Sequence, residues 1–127
     1  MAIISVYAPT EDENKQNAAN VERFYNKLSE VCDRTPRNDA LILQGDFNAK
    51  IGREHSNKRV AGRHILHDIT SENGEKLVQL AIAHNLEMSS TKFQHRRIHK
   101  CTWKAPGQDI CNQIDHILKQ KKSIYDY

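Results

Sequence analysis

Short β-rich runs alternate with amphipathic helical segments along this chain, and this alternation constrains the fold more than any other feature. Ile3 to Tyr7 and Leu41 to Gln44 are rich in branched aliphatic residues, as strands are. Between them, apolar residues recur at helical spacing from Val21 to Cys32, and we expect the helix to end before Pro36. Such alternation predicts an α/β sheet with helices on one face.

The second half of the chain continues the pattern. Leu77, Leu80, Ala81 and His84 fall on one helical face, and this second helix is expected to begin near Ser71 to Asn73. Short strands are predicted at Leu86–Ser89, Cys101–Trp103 and Gln113–Leu118.

Length and composition limit the protein classes. A chain of 127 residues suits one domain or part of a larger one. The net charge of +3 permits a polyanionic partner without requiring one. Three cysteines without a C-x-x-C pattern favour a reducing compartment, so we expect an intracellular protein, nuclear or cytoplasmic. No apolar run approaches the roughly 18 residues of a membrane span.

The segment GDFN, Gly45 to Asn48, follows the strand at Leu41–Gln44 directly. Ligands of α/β sheets bind beyond the carboxyl ends of strands, where Asp46 and Asn48 are expected. If the backbone stays extended, both side chains point to the same side and could hold a phosphate with its metal and a water. Gly, Asp and Asn are also ordinary turn residues, so a plain Asx turn is an equal alternative.

Asp115 is a second candidate. In NQIDHIL the alternation places Asp115 and Ile117 on one side of a strand and His116 on the other. A carboxylate among apolar neighbours is costly unless it has a partner, and a buried Asp often orients an imidazole. The alternative is a strand at the sheet edge whose Asp is solvated.

Several motifs resemble, in order, the endonuclease/exonuclease/phosphatase superfamily. They are VYAP (Val6–Pro9), GDFNAKIG (Gly45–Gly52), TKFQH (Thr91–His95), TW (Thr102–Trp103) and QIDHIL (Gln113–Leu118). Together with the Asn73–Gly74 pair before a Leu-rich helix, they are most similar to the endonuclease domains of LINE-type retrotransposons and to craniofacial development protein 2-like proteins. The resemblance runs from Ile3 to the C-terminus.

The resemblance implies a DNase I-like four-layer α/β sandwich and a DNA endonuclease that uses Mg²⁺ or Mn²⁺. By this resemblance Tyr7 and Thr102 contact the scissile phosphate. Asp46 positions the attacking water or protonates the leaving oxygen, and it is a weak candidate metal ligand. Asn48 holds the phosphate and water, while Asp115 orients a catalytic histidine. DNA is the implied partner.

Two parts of the family pattern have no counterpart in the sequence. The metal-binding glutamate would precede the strand that carries Tyr7, and a Ser-Asp-His motif would follow the last residue, Tyr127. His116 cannot replace that histidine, because adjacent strand residues point to opposite faces. We therefore expect residues 1–127 to form about half of the domain, inactive alone, with one sheet face exposed and prone to association.

A basic cluster begins after the strand predicted at Leu86–Ser89 and ends just past the strand predicted at Cys101–Trp103. It contains Lys92, Arg96, Arg97, Lys100 and Lys104. This cluster indicates either contact with DNA phosphates or a solvated loop. His95, His99 and Cys101 also have a spacing compatible with zinc, but no paired cysteines complete a tetrahedral site.

Two further functions remain open from the sequence. The first is a non-catalytic remnant that binds nucleic acid or another protein. The second is a phosphoesterase of the same superfamily that acts on small phosphoesters or inositol phosphates.

Overall fold

The computed structural model describes residues 1–10, 15–36, 39–54, 57, 59–62, 65–89, 103–104, 111–112 and 114–121. The helices are α1 (Lys15–Arg34) and α2 (Glu72–Ala83). The strands are β1 (Ala2–Tyr7), β2 (Leu41–Asp46), β3 (Leu86–Met88), β4 (Trp103–Lys104), β5 (Cys111–Asn112) and β6 (Asp115–Gln120).

Four of these strands form one mixed sheet in the order β1-β2-β6-β3. Strands β1 and β2 are parallel, whereas β6 is antiparallel to both β2 and β3. Strands β4 and β5 form a separate antiparallel pair. The predicted α/β sheet is therefore present, and β2 and β6 lie at its centre.

One face of the sheet is covered. Leu43, Leu118 and Met88 pair in a row across β2, β6 and β3, and all three side chains are fully buried. Apolar residues of both helices, among them Tyr25 and Leu77, belong to the same core cluster. The expected arrangement, with helices on one face, is confirmed.

The opposite face, which we call the open face, carries exposed aliphatic side chains. Ile3 is 53% exposed and Ile117 is 46% exposed, and Ser5 and Gln44 are exposed between them. Alternation along a strand sends every second side chain to this face. The exposed face expected from the sequence is thus present among the described residues.

Helix α1 begins earlier than its apolar stripe suggested. The stripe from Val21 to Cys32 lies on the buried side, but the helix extends back to Lys15. Ala18 and Ala19 favour helix without contributing to the stripe, so the helix begins before the hydrophobic period does. The helix ends at Arg34, before Pro36, as predicted.

Helix α2 has a well-formed N-terminus. The Ser71 hydroxyl oxygen accepts from the Gly74 N–H at 3.1 Å, and Glu72 and Glu75 place negative charge in the first turn. At the other end, the His84 N–H donates to Leu80 O, and Asn85 takes a left-handed φ of 55° that leads into β3. The predicted start near Ser71 is confirmed.

The long connection after β2 is held by one carboxylate. Glu54 accepts from the backbone N–H and the hydroxyl of Thr70, and the Asn57 amide donates to the same carboxylate. These hydrogen bonds, chiefly the one from the Thr70 hydroxyl, keep the pKa of Glu54 below its ordinary value. The connection is thereby tied to the segment that leads into α2.

Candidate active site

Asp46 is the last residue of β2, two residues further along than the sequence predicted the strand to end. Gly45 before it has a φ of 136°, a value that L side chains rarely adopt. A Cβ at Gly45 would also collide with the backbone carbonyl oxygen of Val6 on the neighbouring strand. The glycine therefore allows β1 and β2 to approach closely just before Asp46.

Asp46 and Asn48 form an Asx turn. The Asp46 Oδ1 accepts from the Asn48 N–H at 2.9 Å. Asn48 has a left-handed φ of 46°, so the backbone is not extended there, and the condition on which the expected alignment of the two side chains depended is not met. The Asx turn, which the sequence left open as an alternative to a binding site, is present. Its hydrogen bond holds Asp46 and Asn48 in a defined position relative to each other.

The Asn48 carboxamide ties this turn to the end of β1. Its Nδ2 donates to the carbonyl of Ala8 at 2.6 Å, and the Ala8 N–H donates to the carbonyl of Asp46 at 2.8 Å. Because the nitrogen of the carboxamide is engaged, its Oδ1 is the atom that can accept from a ligand. Ala8, just after β1, and the turn after β2 are therefore held together by two hydrogen bonds.

Tyr7, Asp46 and Asp115 occupy one row across the sheet. Tyr7 pairs with Asp46 between β1 and β2, and Asp46 pairs with Asp115 between β2 and β6. Residues that pair in this way point to the same face, and Cβ atoms of directly opposite antiparallel residues lie about 4.5–5.5 Å apart. The three predicted site residues thus meet at one end of the open face.

The surroundings of Asp115 differ from those expected. We predicted either a costly carboxylate among apolar neighbours or a solvated Asp at the sheet edge. Asp115 is exposed, yet β6 lies between β2 and β3 rather than at an edge. The side chain reaches solvent because it lies on the open face at the first residue of the strand.

His116 lies under the turn, on the covered face. It is 2% exposed, and its Nε2–H donates to the carbonyl of Ala49 at 2.7 Å. Burial is the main cause that lowers the pKa of His116 to about 4, so the ring is neutral near pH 7. The expectation that His116 points away from Asp115 is confirmed, and the histidine instead supports the backbone after Asn48.

Asn73 is a site residue that the sequence analysis did not assign. It lies in the first turn of α2 and is only 1% exposed. Its Nδ2 donates to the carbonyl of Asn48 at 3.1 Å and to that of Pro9 at 3.2 Å. One carboxamide thereby connects α2 with both segments that carry the candidate residues.

A second contact supports the same connection. The Ser71 hydroxyl, which accepts from the Gly74 N–H, also accepts from the Lys50 N–H at 3.0 Å. A Cβ at Gly74 would collide with the carbonyl oxygen of Lys50. The segment SENG is therefore more than a helix start: Asn73 contacts the turn, and Ser71 and Gly74 contact Lys50 just after it.

Other predicted residues fall outside this description. Thr102 and the basic residues Lys92, Arg96, Arg97 and Lys100 lie outside the described residues, as do His95, His99 and Cys101 of the zinc alternative. Lys104 is the second residue of β4. Their predicted roles therefore stay predictions.

A family model described as endonuclease-reverse transcriptase matches residues 1–124. The chain belongs to this family. It is 31% identical over 122 residues to craniofacial development protein 2 of Bos taurus and 30% identical to that of Tragulus javanicus. The match covers 96% of this chain but 20% of each relative, so the chain spans about a fifth of their length.

Solved structures show the same fold. The 3′-5′ exonuclease NExo from Neisseria meningitidis superposes with a TM-score of 0.63 at 22% sequence identity. A 3′ phosphatase form of NExo bound to a product DNA hairpin gives 0.62 at 21%. Both matches cover 93% of this chain and 48% of the solved chain. The superfamily and the DNase I-like α/β fold predicted from the motifs are confirmed.

Within the part of the chain that the structure describes, neither helix is long and apolar enough to cross a bilayer.

Proposed function

We propose that this chain supplies the Tyr7–Asp46–Asn48–Asp115 part of the active site of a magnesium-dependent DNA endonuclease of retrotransposon origin. The observation that carries the proposal is the row formed by Tyr7, Asp46 and Asp115, to which the Asx turn adds Asn48. Membership of the endonuclease-reverse transcriptase family and a fold shared with DNA-processing enzymes support the same reaction class.

The donor set at this row fits a hard divalent cation. Asp46 and Asp115 put two carboxylates side by side, and Mg²⁺ is commonly held by one or two carboxylates together with waters and substrate phosphates. Among the described residues, no three His, Cys, Asp or Glu side chains lie close enough together to enclose an ion. Asp46 is the ligand we assign, and Mg²⁺ bound there would neutralise charge on the phosphate.

The remaining roles follow from the geometry of the row. The Tyr7 side chain is 80% exposed, so its hydroxyl is free to donate to a phosphate oxygen. The Asn48 Oδ1 can accept from an attacking water. Asp115 can hold a histidine from outside the described residues in the orientation that a general base needs.

We infer further that the isolated chain does not cut DNA, and that the open face is covered by another half of the sandwich in the working enzyme. The solved relatives are about twice as long as the part that this chain matches. Exposed Ile3 and Ile117 on the open face are the kind of surface that such packing buries.

A plasmid-nicking assay tests both statements. The isolated chain should show no Mg²⁺-dependent nicking, whereas a chimera that joins it to the part of the Neisseria exonuclease it does not cover should nick. In the chimera, Asp46→Ala should lower the rate at least about a hundredfold, the size of a lost acid–base or positioning group. Glu30→Gln, on the exposed side of α1 and not on the open face, is the control and should leave the rate unchanged.

Two outcomes would contradict the proposal. A folded chimera that does not nick, or one that nicks equally well with Asp46→Ala, removes the assigned role of the row. Strong nicking by the isolated chain that disappears with Asp46→Ala keeps the reaction but overturns the inferred inactivity.

A phosphomonoesterase is the second candidate, because one structural relative is described as a 3′ phosphatase. The same row would then act on a terminal phosphate rather than on an internal phosphodiester. Incubating the chimera with a DNA hairpin that ends in a 3′ phosphate distinguishes the two, since release of inorganic phosphate without strand cleavage indicates the phosphatase.

A further inference from the structure

A serine, a histidine and an aspartate lie next to one another where the two helices meet, with one hydrogen bond between serine and histidine and an ion-pair contact between histidine and aspartate. The Ser29 Oγ of α1 lies 2.8 Å from the His84 Nε2 at the end of α2. The other ring nitrogen, Nδ1, lies 3.5 Å from the Asp33 Oδ1, one turn further along α1. None of these residues belongs to the row on the open face.

The contacts of the two ring nitrogens of His84 determine which nitrogen carries the proton. A carboxylate only accepts, so the Asp33 contact favours the tautomer with hydrogen on Nδ1. Nε2 then carries the lone pair and accepts from the Ser29 hydroxyl. This is the arrangement in which a histidine can remove the proton of a serine as the oxygen attacks.

Ser29 also opens onto a groove of about 270 Å³ between the helices. Tyr25, Leu80 and Ala83 line the apolar part of the groove, and its polar lining residues are Glu22, Asn26, Lys76 and Gln79, of which the last three carry side-chain N–H groups. An apolar wall suits a short acyl chain, and side-chain donors near a nucleophile can stabilise a developing oxyanion. A nucleophile, a base, an orienting carboxylate and a small binding groove therefore coincide.

We propose that Ser29, His84 and Asp33 form a second site that hydrolyses small, short-chain carboxylic esters, separate from the phosphodiester chemistry of the sheet. Ser29 Oγ attacks the ester carbonyl carbon while its proton passes to His84 Nε2. The tetrahedral intermediate collapses, the bond to the alkoxy group breaks, and the leaving oxygen takes the proton.

Water completes the cycle. It attacks the acyl group on Ser29 and gives its proton to His84 Nε2, and the Ser29 oxygen leaves with that proton. The products are a carboxylic acid and an alcohol, and no oxidant or other reactant is consumed. Asp33 is a positioning residue, since it contacts only the imidazole.

Labelling of the wild-type chain tests the nucleophile without any variant. A fluorophosphonate probe should form a bond between phosphorus and Ser29 Oγ with loss of fluoride, and peptide mass spectrometry should locate the label on Ser29. Ser5, an exposed serine on the open face, is the internal control and should stay unlabelled.

Hydrolysis of p-nitrophenyl acetate tests the base and the positioning residue. Ser29→Ala and His84→Gln should each lower the rate at least about tenfold, toward that of the unfolded chain, given the usual gain from general base catalysis. Asp33→Asn should lower it less, and Asp33→Glu, which keeps the carboxylate, should restore it. Circular dichroism of each variant checks that the helices remain folded.

The proposal is overturned if the probe labels other residues and not Ser29, or if labelling of Ser29 is as fast with His84→Gln as in the wild type. It is also overturned if Ser29→Ala hydrolyses the ester at the wild-type rate. Loss of plasmid nicking in the chimera would leave these results untouched, so the two sites are tested independently.

Discussion

Asp46 on β2 and Asp115 on β6 are directly opposite each other in the antiparallel ladder at the centre of the sheet. Like charges on directly facing residues of two strands repel and destabilise the sheet, whereas opposite charges in the same positions stabilise it. The protein keeps both carboxylates at the end of the open face where Tyr7 also lies. The pairing therefore weakens the sheet slightly and concentrates negative charge at the place where we propose that Mg²⁺ binds.

Replacing one member of this pair should stabilise the fold. In metal-free buffer at low salt, Asp46→Asn, whose amide oxygen can still accept from the Asn48 N–H, should raise the free energy of unfolding by about 0.5 kcal/mol, within the range measured for cross-strand pairs. The gain should shrink at about 1 M salt, where the Debye length is only about 3 Å. Urea unfolding at the two salt concentrations measures both effects.

Glu30→Gln is the control for this prediction. Glu30 is exposed on α1 and lies 4.0 Å from Lys27, an opposite charge, so its neutralisation should not stabilise the protein. Equal gains for both variants would indicate a general effect of net charge instead of repulsion between Asp46 and Asp115.

Asn73 should be the most sensitive polar side chain near the site. The buried Asn73 side chain donates two partly buried hydrogen bonds, and Asn73→Ala leaves the carbonyls of Asn48 and Pro9 without that donor. We expect a loss of about 1–3 kcal/mol of unfolding free energy, the cost of unsatisfied buried groups. Asn73→Asp should cost more, because a carboxylate would face two carbonyl oxygens.

Chemical denaturation of both variants measures these losses, with Asn26→Ala as the matched control. Asn26 lies on the exposed side of α1, so its replacement should change the stability by less than about 0.5 kcal/mol. If Asn73→Ala were as harmless as Asn26→Ala, the carboxamide would not be what connects α2 to the turn.

Gly45→Ala should disrupt the approach of β2 to β1. The φ of 136° is unfavourable for any L side chain, and the new Cβ would collide with the Val6 carbonyl oxygen. Together these effects should cost more than about 2 kcal/mol. Thermal unfolding measures the loss, and Gln44→Ala, an exposed neighbour on the same strand, should change it little.

The sequence motifs selected three candidate residues that the sheet brings together, but they did not predict the surroundings of these residues. Tyr7, Asp46 and Asp115 were identified because each belongs to a local motif, and strand alternation placed Asp115 and His116 on opposite faces correctly. Alternation describes two faces but does not say which of them is covered, since that depends on packing by distant helices. For this reason the exposure of Asp115 on an interior strand was not foreseen.

Local patterns also failed where one backbone dihedral or one long-range contact decides the geometry. The left-handed φ of Asn48 converts an expected extended pair into an Asx turn, a choice that the letters GDFN leave open. Asn73 was visible only as part of a helix start. Its role depends on Pro9, 64 residues away, and Asn48, 25 residues away, and no periodicity of the chain encodes such contacts.

His116 should make the stability of the fold depend on pH. Burial lowers its pKa to about 4 in the folded protein, against an ordinary value of 6.5. Between these values the unfolded chain binds more protons, so the free energy of unfolding rises with pH across this window. The contribution is fully present above about pH 6.5 and is lost as the pH falls through 4, with a size of about 3 kcal/mol.

His116→Gln tests this contribution, because a Gln amide can donate to the carbonyl of Ala49 but does not titrate. The variant should be less stable than the wild type at pH 7, and the difference should narrow as the pH falls from 6.5 toward 4. His67→Gln is the comparison, because His67 is only partly buried. Its replacement should reduce the pH dependence of the unfolding free energy less than His116→Gln does. Parallel profiles for the wild type and His116→Gln in urea unfolding would show that His116 does not carry this pH dependence.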